Sequence, residues 1–291
     1  MNQSQLESEL SSMHPAETFN RRSFIVTSLG VGFALATQPI AAQSVITTDG
    51  DGLLAGEVKV PVADGEMIAY RAAPMKVKNA PVVLVVSEIF GAHEYIRDVC
   101  RRFAKLGYMA IAPELFARYG DPRSYTSIPD LFANVVSKAD DAVVMSDLDA
   151  CTRWAGKHGG DAAKLGITGF CWGGRITWLY TAHNPKVAAA VAWYGKLDGI
   201  PTTLQPTYPI DLVAKIKTPV LGLYGATDQG IPLSDVDAMR QALEKQASKS
   251  QIHVYDGIGH AFHADYRPSY RKAEAIDGWQ RMLTWFKNNG V

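Results

Sequence analysis

The chain has 291 residues, enough for one large domain or two small ones with a sizeable core. Hydrophobic residues make up 47% and charged residues 20%, and Lys+Arg and Asp+Glu both total 29, so no charge excess points to a polyanionic partner. No basic run interleaved with aromatics suggests nucleic acid, and no apolar span after residue 42 is long enough to cross a bilayer, so no membrane association is expected once the chain is mature.

Residues 1–19 are polar. Asn20-Arg21-Arg22-Ser23-Phe24-Ile25-Val26 follows, then a mildly apolar run through Leu35 that Gly30, Gly32 and Thr27 make too weak for a membrane helix. Small residues at Pro39-Ile40-Ala41-Ala42 suit a signal peptidase. The segment resembles a twin-arginine export signal, which implies residues 1–42 as a cleaved address, the twin-arginine machinery as a transient partner and a bacterial periplasmic destination. Val26 stands where such signals usually carry a basic residue.

Residues 43–54 read as a disordered or extended lead-in, and residues 55–291 as one domain. Gly56–Pro61 and Met67–Ala72 flank Asp64-Gly65, a hairpin signal. Pro81–Ser87 is a continuous apolar strand, as in a sheet buried on both faces. Strands and helices then alternate: helix Glu94–Leu106, strand Tyr108–Ala112, a polar loop around Gly120–Pro129, helix Asp140–His158, strand Lys164–Thr168 and helix Arg175–His183. Strand Val187–Tyr194, a Pro-rich connection at Gly199–Pro209, strand Pro219–Tyr224, helix Asp235–Gln246, strand Gln251–Tyr255 and helix Tyr270–Lys287 complete the chain. This alternation predicts an α/β fold with a mostly parallel sheet covered on both faces.

Gly169-Phe170-Cys171-Trp172-Gly173-Gly174 joins a strand to a helix. Glycines on either side of a central side chain mark a nucleophile elbow, where added Cβ atoms would clash. Cysteine at the centre makes Cys171 the candidate nucleophile, with the Trp172 amide facing a developing oxyanion. Two later strands end in Gly225-Ala226-Thr227-Asp228 and Gly257-Ile258-Gly259-His260. Nucleophile, acid, histidine is the chain order of α/β-hydrolases. His260 would move the thiol proton, and Asp228 would fix its tautomer and balance the imidazolium. Cys100 and Cys151 recur with apolar neighbours at helical spacing and read as core, and an odd count leaves at least one free thiol. No Cys/His spacing suggests a metal, and no cofactor is expected.

After the first parallel strand, Ser87-Glu88-Ile89-Phe90-Gly91 supplies a second oxyanion amide at Ile89. Glu88 could hydrogen-bond the thiol and keep it protonated until substrate displaces the carboxylate. Trp172, Trp193, Tyr194 and Phe262 are candidate walls of an apolar pocket. His93 and His263 flank the presumed site, His158 and His183 read as helix caps, and His253 reads as a strand residue.

The ordered set EIFG, PELFARYGDP, GFCWGG, GATD and GIGHAF resembles the dienelactone hydrolase (carboxymethylenebutenolidase) family from about residue 55 onward. The resemblance implies an α/β-hydrolase fold, a triad at Cys171, His260 and Asp228, and a thiol-switching role for Glu88. It implies Arg118 of the Phe116-Ala117-Arg118-Tyr119 run as a carboxylate ligand, with Tyr119 beside it. The family's second arginine falls at Ala264, and Arg267 is the candidate replacement. The expected activity is opening of a small lactone, or cleavage of a small ester, with a possibly anionic substrate. A redox-sensing or binding module without turnover, and a cysteine peptidase, remain open alternatives on the same residues.

Overall fold

The computed structural model describes residues 45–291; the expected export segment, residues 1–42, lies outside the described residues. The predicted hairpin is longer than its sequence signal: β1 (Leu53–Val62) and β2 (Gly65–Pro74) pair antiparallel over their full length. The lead-in before β1 is ordered over residues 45–52. The Ile46 amide donates to Asp265 Oδ2 at 3.1 Å, and Arg101 Nε donates to the Thr48 carbonyl at 2.8 Å.

Next come β3 (Ala80–Val86), α1 (Glu94–Lys105), β4 (Met109–Pro113), α2 (Ile128–Asn134), α3 (Asp141–Lys157) and β5 (Gly160–Phe170). They are followed by α4 (Trp172–His183), β6 (Val187–Trp193), β7 (Val220–Gly225), α5 (Leu233–Lys245), β8 (Gln251–Tyr255) and α6 (Lys272–Asn288). The eight strands of the described residues form one sheet in the order β1-β2-β4-β3-β5-β6-β7-β8. β2 meets β4 antiparallel, and from β4 onward every pairing is parallel. Side chains of β3 from Val82 to Val86 are fully buried, which is why that strand reads as an unbroken apolar run.

Helix α1 turns Ile96, Val99, Cys100 and Phe103 into the core, while Arg101 and Arg102 pair with the buried carboxylate of Asp98 and Arg102 also with that of Asp265. Cys151 on α3 is likewise buried, so both cysteines are core residues as expected, and burial pushes both thiols up. All three cysteines are free thiols. Helix α2 starts at the end of the expected loop around Gly120–Pro129 and runs through a stretch to which the sequence assigns no element: Pro129 sits in its first turn, where a missing N–H costs nothing, and Ser127 caps it. Helix α4 begins three residues before its predicted start and is buried on nearly every face through Thr181, so it runs through the interior and lacks an amphipathic stripe. Among the described residues no helix is long and apolar enough to cross a membrane.

The parallel arrangement carries four chain segments to one edge of the sheet. Glu88 follows β3, Cys171 follows β5, Asp228 follows β7 and His260 follows β8. That edge, at the carboxyl ends of the strands, is where ligand sites of open α/β sheets form.

Candidate active site

Cys171 holds φ 55° and ψ −115°, a backbone conformation that costs an L-residue about 1–3 kcal/mol and persists only where its surroundings enforce it. The enforcement is close packing. A Cβ on Gly169 would lie 2.2 Å from the Gly173 carbonyl oxygen, and one on Gly173 would lie 2.3 Å from the Val86 carbonyl oxygen. The first turn of α4 therefore rests directly on the end of β3, beside the loop that holds Ile89. The Cys171 amide donates to the Trp193 carbonyl at 3.0 Å. Trp172, as the first residue of α4, presents one of the amides that a helix start leaves without an internal acceptor. Both predicted oxyanion amides thus belong to segments packed against each other.

Asp228 accepts from the amides of Gly230 and Ile231 on Oδ1, at 2.9 and 3.2 Å. Its Oδ2 faces His260 Nδ1 at 2.6 Å, both side chains being buried. The carboxylate oxygens are thus fully used, and the ring must donate from Nδ1, leaving Nε2 as the basic nitrogen. That Nε2 is buried and lacks a hydrogen-bond partner, and His260 and Cys171 line the same cleft. Burial alone would lower the imidazole's pKa; Asp228, and after it Cys171, outweigh burial and raise it well above the ordinary histidine value.

Glu88 is 1% exposed. Its Oε2 accepts from the Tyr266 hydroxyl at 2.5 Å and lies 3.4 Å from His93 Nε2, while Oε1 is buried without a partner. Burial would push this carboxyl up, but the Arg267 guanidinium, His93 and Tyr266 together pull it down to about 2. Glu88 is a carboxylate at neutral pH, tied to Tyr266 and with no hydrogen bond to the sulfur. Arg267 Nε donates to the Tyr266 hydroxyl at 3.1 Å, and its guanidinium lies over the Phe90 ring at 5.1 Å. Arg267 stands close enough to Cys171 to interact with it electrostatically. The residue offered as a replacement for the family's second arginine therefore reaches the neighbourhood of the site, already matched to Glu88.

The other flanking histidine, His263, is buried, with its Nδ1 hydrogen-bonded to the Tyr95 hydroxyl at 2.6 Å; burial, with Arg102 adding to it, lowers its pKa to about 3. His263 is a neutral member of the packed interior. His158 bonds the Trp154 carbonyl and His183 faces Asp149 at 2.9 Å, both at helix ends as expected.

Four of the predicted substrate contacts do not line the cleft. Arg118 forks onto Asp64 and Asp147 at 2.5–3.0 Å, with Nε, Nη1 and Nη2 all engaged, and does not line the cleft. Two carboxylates from the β1–β2 turn and from α3, remote in sequence, converge there and hold it. Tyr119 packs on the core, with its hydroxyl facing the Asp140 amide at 3.5 Å, and is equally outside. Trp193 and Phe262 are fully buried against each other at 5.9 Å and lie beneath the site as core. Trp172 and Tyr194 do line the cleft, and Tyr194 packs edge-on to His260 at 5.0 Å.

The cleft holds about 300 Å³, and much of its wall was not anticipated. Phe132 and Val136 come from α2 and the turn after it, and Leu204 and Tyr208 from the connection after β6. Phe132 and Val136 are four residues apart, a helical spacing that offered the one available signal. Tyr266 sat next to Arg267 in the same run and was overlooked.

The Dienelactone hydrolase family profile matches residues 67–290. A Methylorubrum extorquens protein named "Putative carboxymethylenebutenolidase" is 56% identical over 286 residues, covering 98% of both chains. A Bradyrhizobium protein named "Probable 2-oxo-3-(5-oxofuran-2-ylidene)propanoate lactonase" is 31% identical over 76% of this chain and 88% of that one. Among solved structures, a Klebsiella pneumoniae protein described as a "Putative Dienelactone Hydrolase" superposes with TM-score 0.80 at 55% identity, over 81% of this chain and 99% of that one. With its profile match, these relatives and its parallel-sheet architecture, the chain belongs to the dienelactone hydrolase family, hydrolases of lactones and esters on the α/β-hydrolase fold.

Proposed function

We propose that this protein is a cysteine-nucleophile hydrolase that opens a small lactone, or cleaves a small carboxylic ester, through an acyl-enzyme. One observation carries the reading: the 2.6 Å Asp228–His260 contact leaves His260 Nε2 buried, unpartnered and in the same cleft as Cys171. In this mechanism the Cys171 sulfur attacks the carbonyl carbon while Nε2 takes the thiol proton. The amides of Ile89 and Trp172 hold the oxyanion, and collapse expels the alkoxide, which leaves with the proton from His260. Water, deprotonated by the same nitrogen, then cleaves the thioester and restores the thiol. With a lactone, the expelled oxygen stays on the acyl chain throughout, and the second step releases a single hydroxy acid (or its keto tautomer). The lactonase name of the Bradyrhizobium relative supports the lactone arm.

Cys171→Ala is expected to lose at least about a thousandfold in kcat/KM on an activated aryl ester while keeping its circular dichroism spectrum. Undiminished turnover would remove the cysteine from the mechanism. A burst without a steady state in the wild type would favour the non-turning-over module, and turnover of peptides but not of esters or lactones would favour the peptidase.

The Arg21-Arg22 segment supports a further proposal, export by the twin-arginine route to the periplasm. Replacing both arginines by lysine should strand the protein in the cytoplasm on fractionation; unchanged distribution would dismiss that route.

A further inference from the structure

The family resemblance pointed to an anionic substrate held by arginine, yet the guanidinium groups around this site are already matched to carboxylates. Arg118 is forked on Asp64 and Asp147. Arg267 is matched to Glu88 through Tyr266. A third arginine, Arg175 on α4, does line the cleft, and it is 3% exposed. Its Nη1 and Nη2 fork onto both oxygens of Asp141 at 2.8 and 2.7 Å, a fully bidentate pair. Nη2 also donates to the Thr207 carbonyl at 2.8 Å, and the guanidinium lies 4.9 Å over the Tyr208 ring. Lys196 also lines the cleft, is only half-buried, and can keep its ammonium group hydrated. Among the described residues no carboxylate lines the cleft; its apolar wall is made by Phe132, Val136, Ile200, Leu204, Tyr208 and Ile231, beside the uncharged polar side chains of Ser137, Thr202, Thr203 and Gln205.

The same bonds show what Arg175 does. It joins the start of α3, through Asp141, to the connection that carries Leu204 and Tyr208. The Asp141 amide donates to the Leu204 carbonyl at 2.9 Å. Gln205 Nε2 reaches the carbonyls of Val136 and Ala139 at 3.2 and 3.3 Å. The two apolar walls are thereby stitched together around a guanidinium whose charge is spent on Asp141.

We infer that the cleft is built for the uncharged, apolar portion of a small ester or lactone, and that Arg175 is a positioning residue bracing its wall, with no anion-receptor role. The inference rests on the acyl-transfer reading above and narrows its substrate class. A carboxylate pushed against these walls would lose its hydration without gaining an uncompensated cation.

The test compares 4-nitrophenyl hexanoate with mono-4-nitrophenyl adipate, equal in acyl length and differing by one terminal carboxylate, on the full-length protein. The hexanoate is expected to be favoured at least about tenfold in kcat/KM, mostly through KM. An adipate ester turned over equally well or better would overturn the inference. Asp141→Asn uncovers the Arg175 charge and should shift the ratio toward adipate by about threefold or more; an unchanged ratio in the folded variant would overturn the neutralising role of Asp141. Should that variant fail to fold, Ile200→Lys places a cation on the cleft wall at a side chain 54% exposed, and the same shift is expected. No shift with Ile200→Lys would mean the acyl chain does not lie there, which also overturns the inference. Failure of the underlying mechanism is separately visible, because Cys171→Ala would then hydrolyse both esters.

Discussion

On one side of Cys171, buried Glu88 is linked by the Tyr266 hydroxyl to Arg267, with His93 Nε2 3.4 Å from its carboxylate. On the other side, the cleft presents many aromatic and aliphatic side chains, and the guanidinium that lines it is ion-paired through Nη1 and Nη2 with Asp141, its buried Nε alone being left without an acceptor. A buried charge is tolerable only where its partners are built in, so the charged side is closed to ligands and the apolar side is left for them. The contrast teaches that a count of arginines near a nucleophile says little about substrate charge until each one's partner is known.

Three results would break or sharpen this contrast. Asp228→Asn has the largest expected effect, a loss of roughly a thousandfold or more in kcat. An asparagine must turn its NH2 either toward the Gly230 and Ile231 amides or toward the His260 ring N–H, so one set of hydrogen bonds is lost or the tautomer inverts. Steady-state kinetics at saturating ester checks this, and a loss below about tenfold would detach Asp228 from the chemistry. Glu88→Gln comes next: stranding the Arg267 charge should lower stability by about 3 kcal/mol in urea titrations at pH 7, while leaving the hexanoate-to-adipate ratio unmoved. A changed ratio would mean that the two sides of the sulfur are not separate.

The smallest effect is the acid limb of the same variant. Glu88 is depressed to about 2 from an ordinary 4.5, so the wild type should hold the associated stability above about pH 4.5 and lose it as pH falls toward 2. Glu88→Gln should show a shallower acid decline, and an identical slope would remove Glu88 as its source.

The sequence made legible what depends on local order. Cys171, Asp228 and His260 could be read because each follows a strand whose apolar run is unmistakable, and parallel strands deliver their ends to one edge. Arg118 was misread because motif position says nothing about Asp64 and Asp147, which reach it from distant parts of the chain. Trp193 and Phe262 lie in the right segments, but their depth beneath the cleft is set by sheet packing, which periodicity cannot report. The cleft walls were hidden for another reason. Helix α2 has only seven residues and carries Pro129 in its first turn, and the connection around Leu204 and Tyr208 has no repeating pattern at all.

The contact of Gly173 with the Val86 carbonyl has a dynamic consequence. With no room for even a methyl group between α4 and β3, the elbow cannot shift relative to the Ile89 loop unless the central strands part. The hydrogen-bonded Cys171 amide should exchange with solvent only through whole-molecule opening, whereas amides around α2 and residues 199–208 can exchange through local fluctuation. Any breathing that admits an acyl chain therefore belongs to the walls, and the attacking sulfur stays in register while they move.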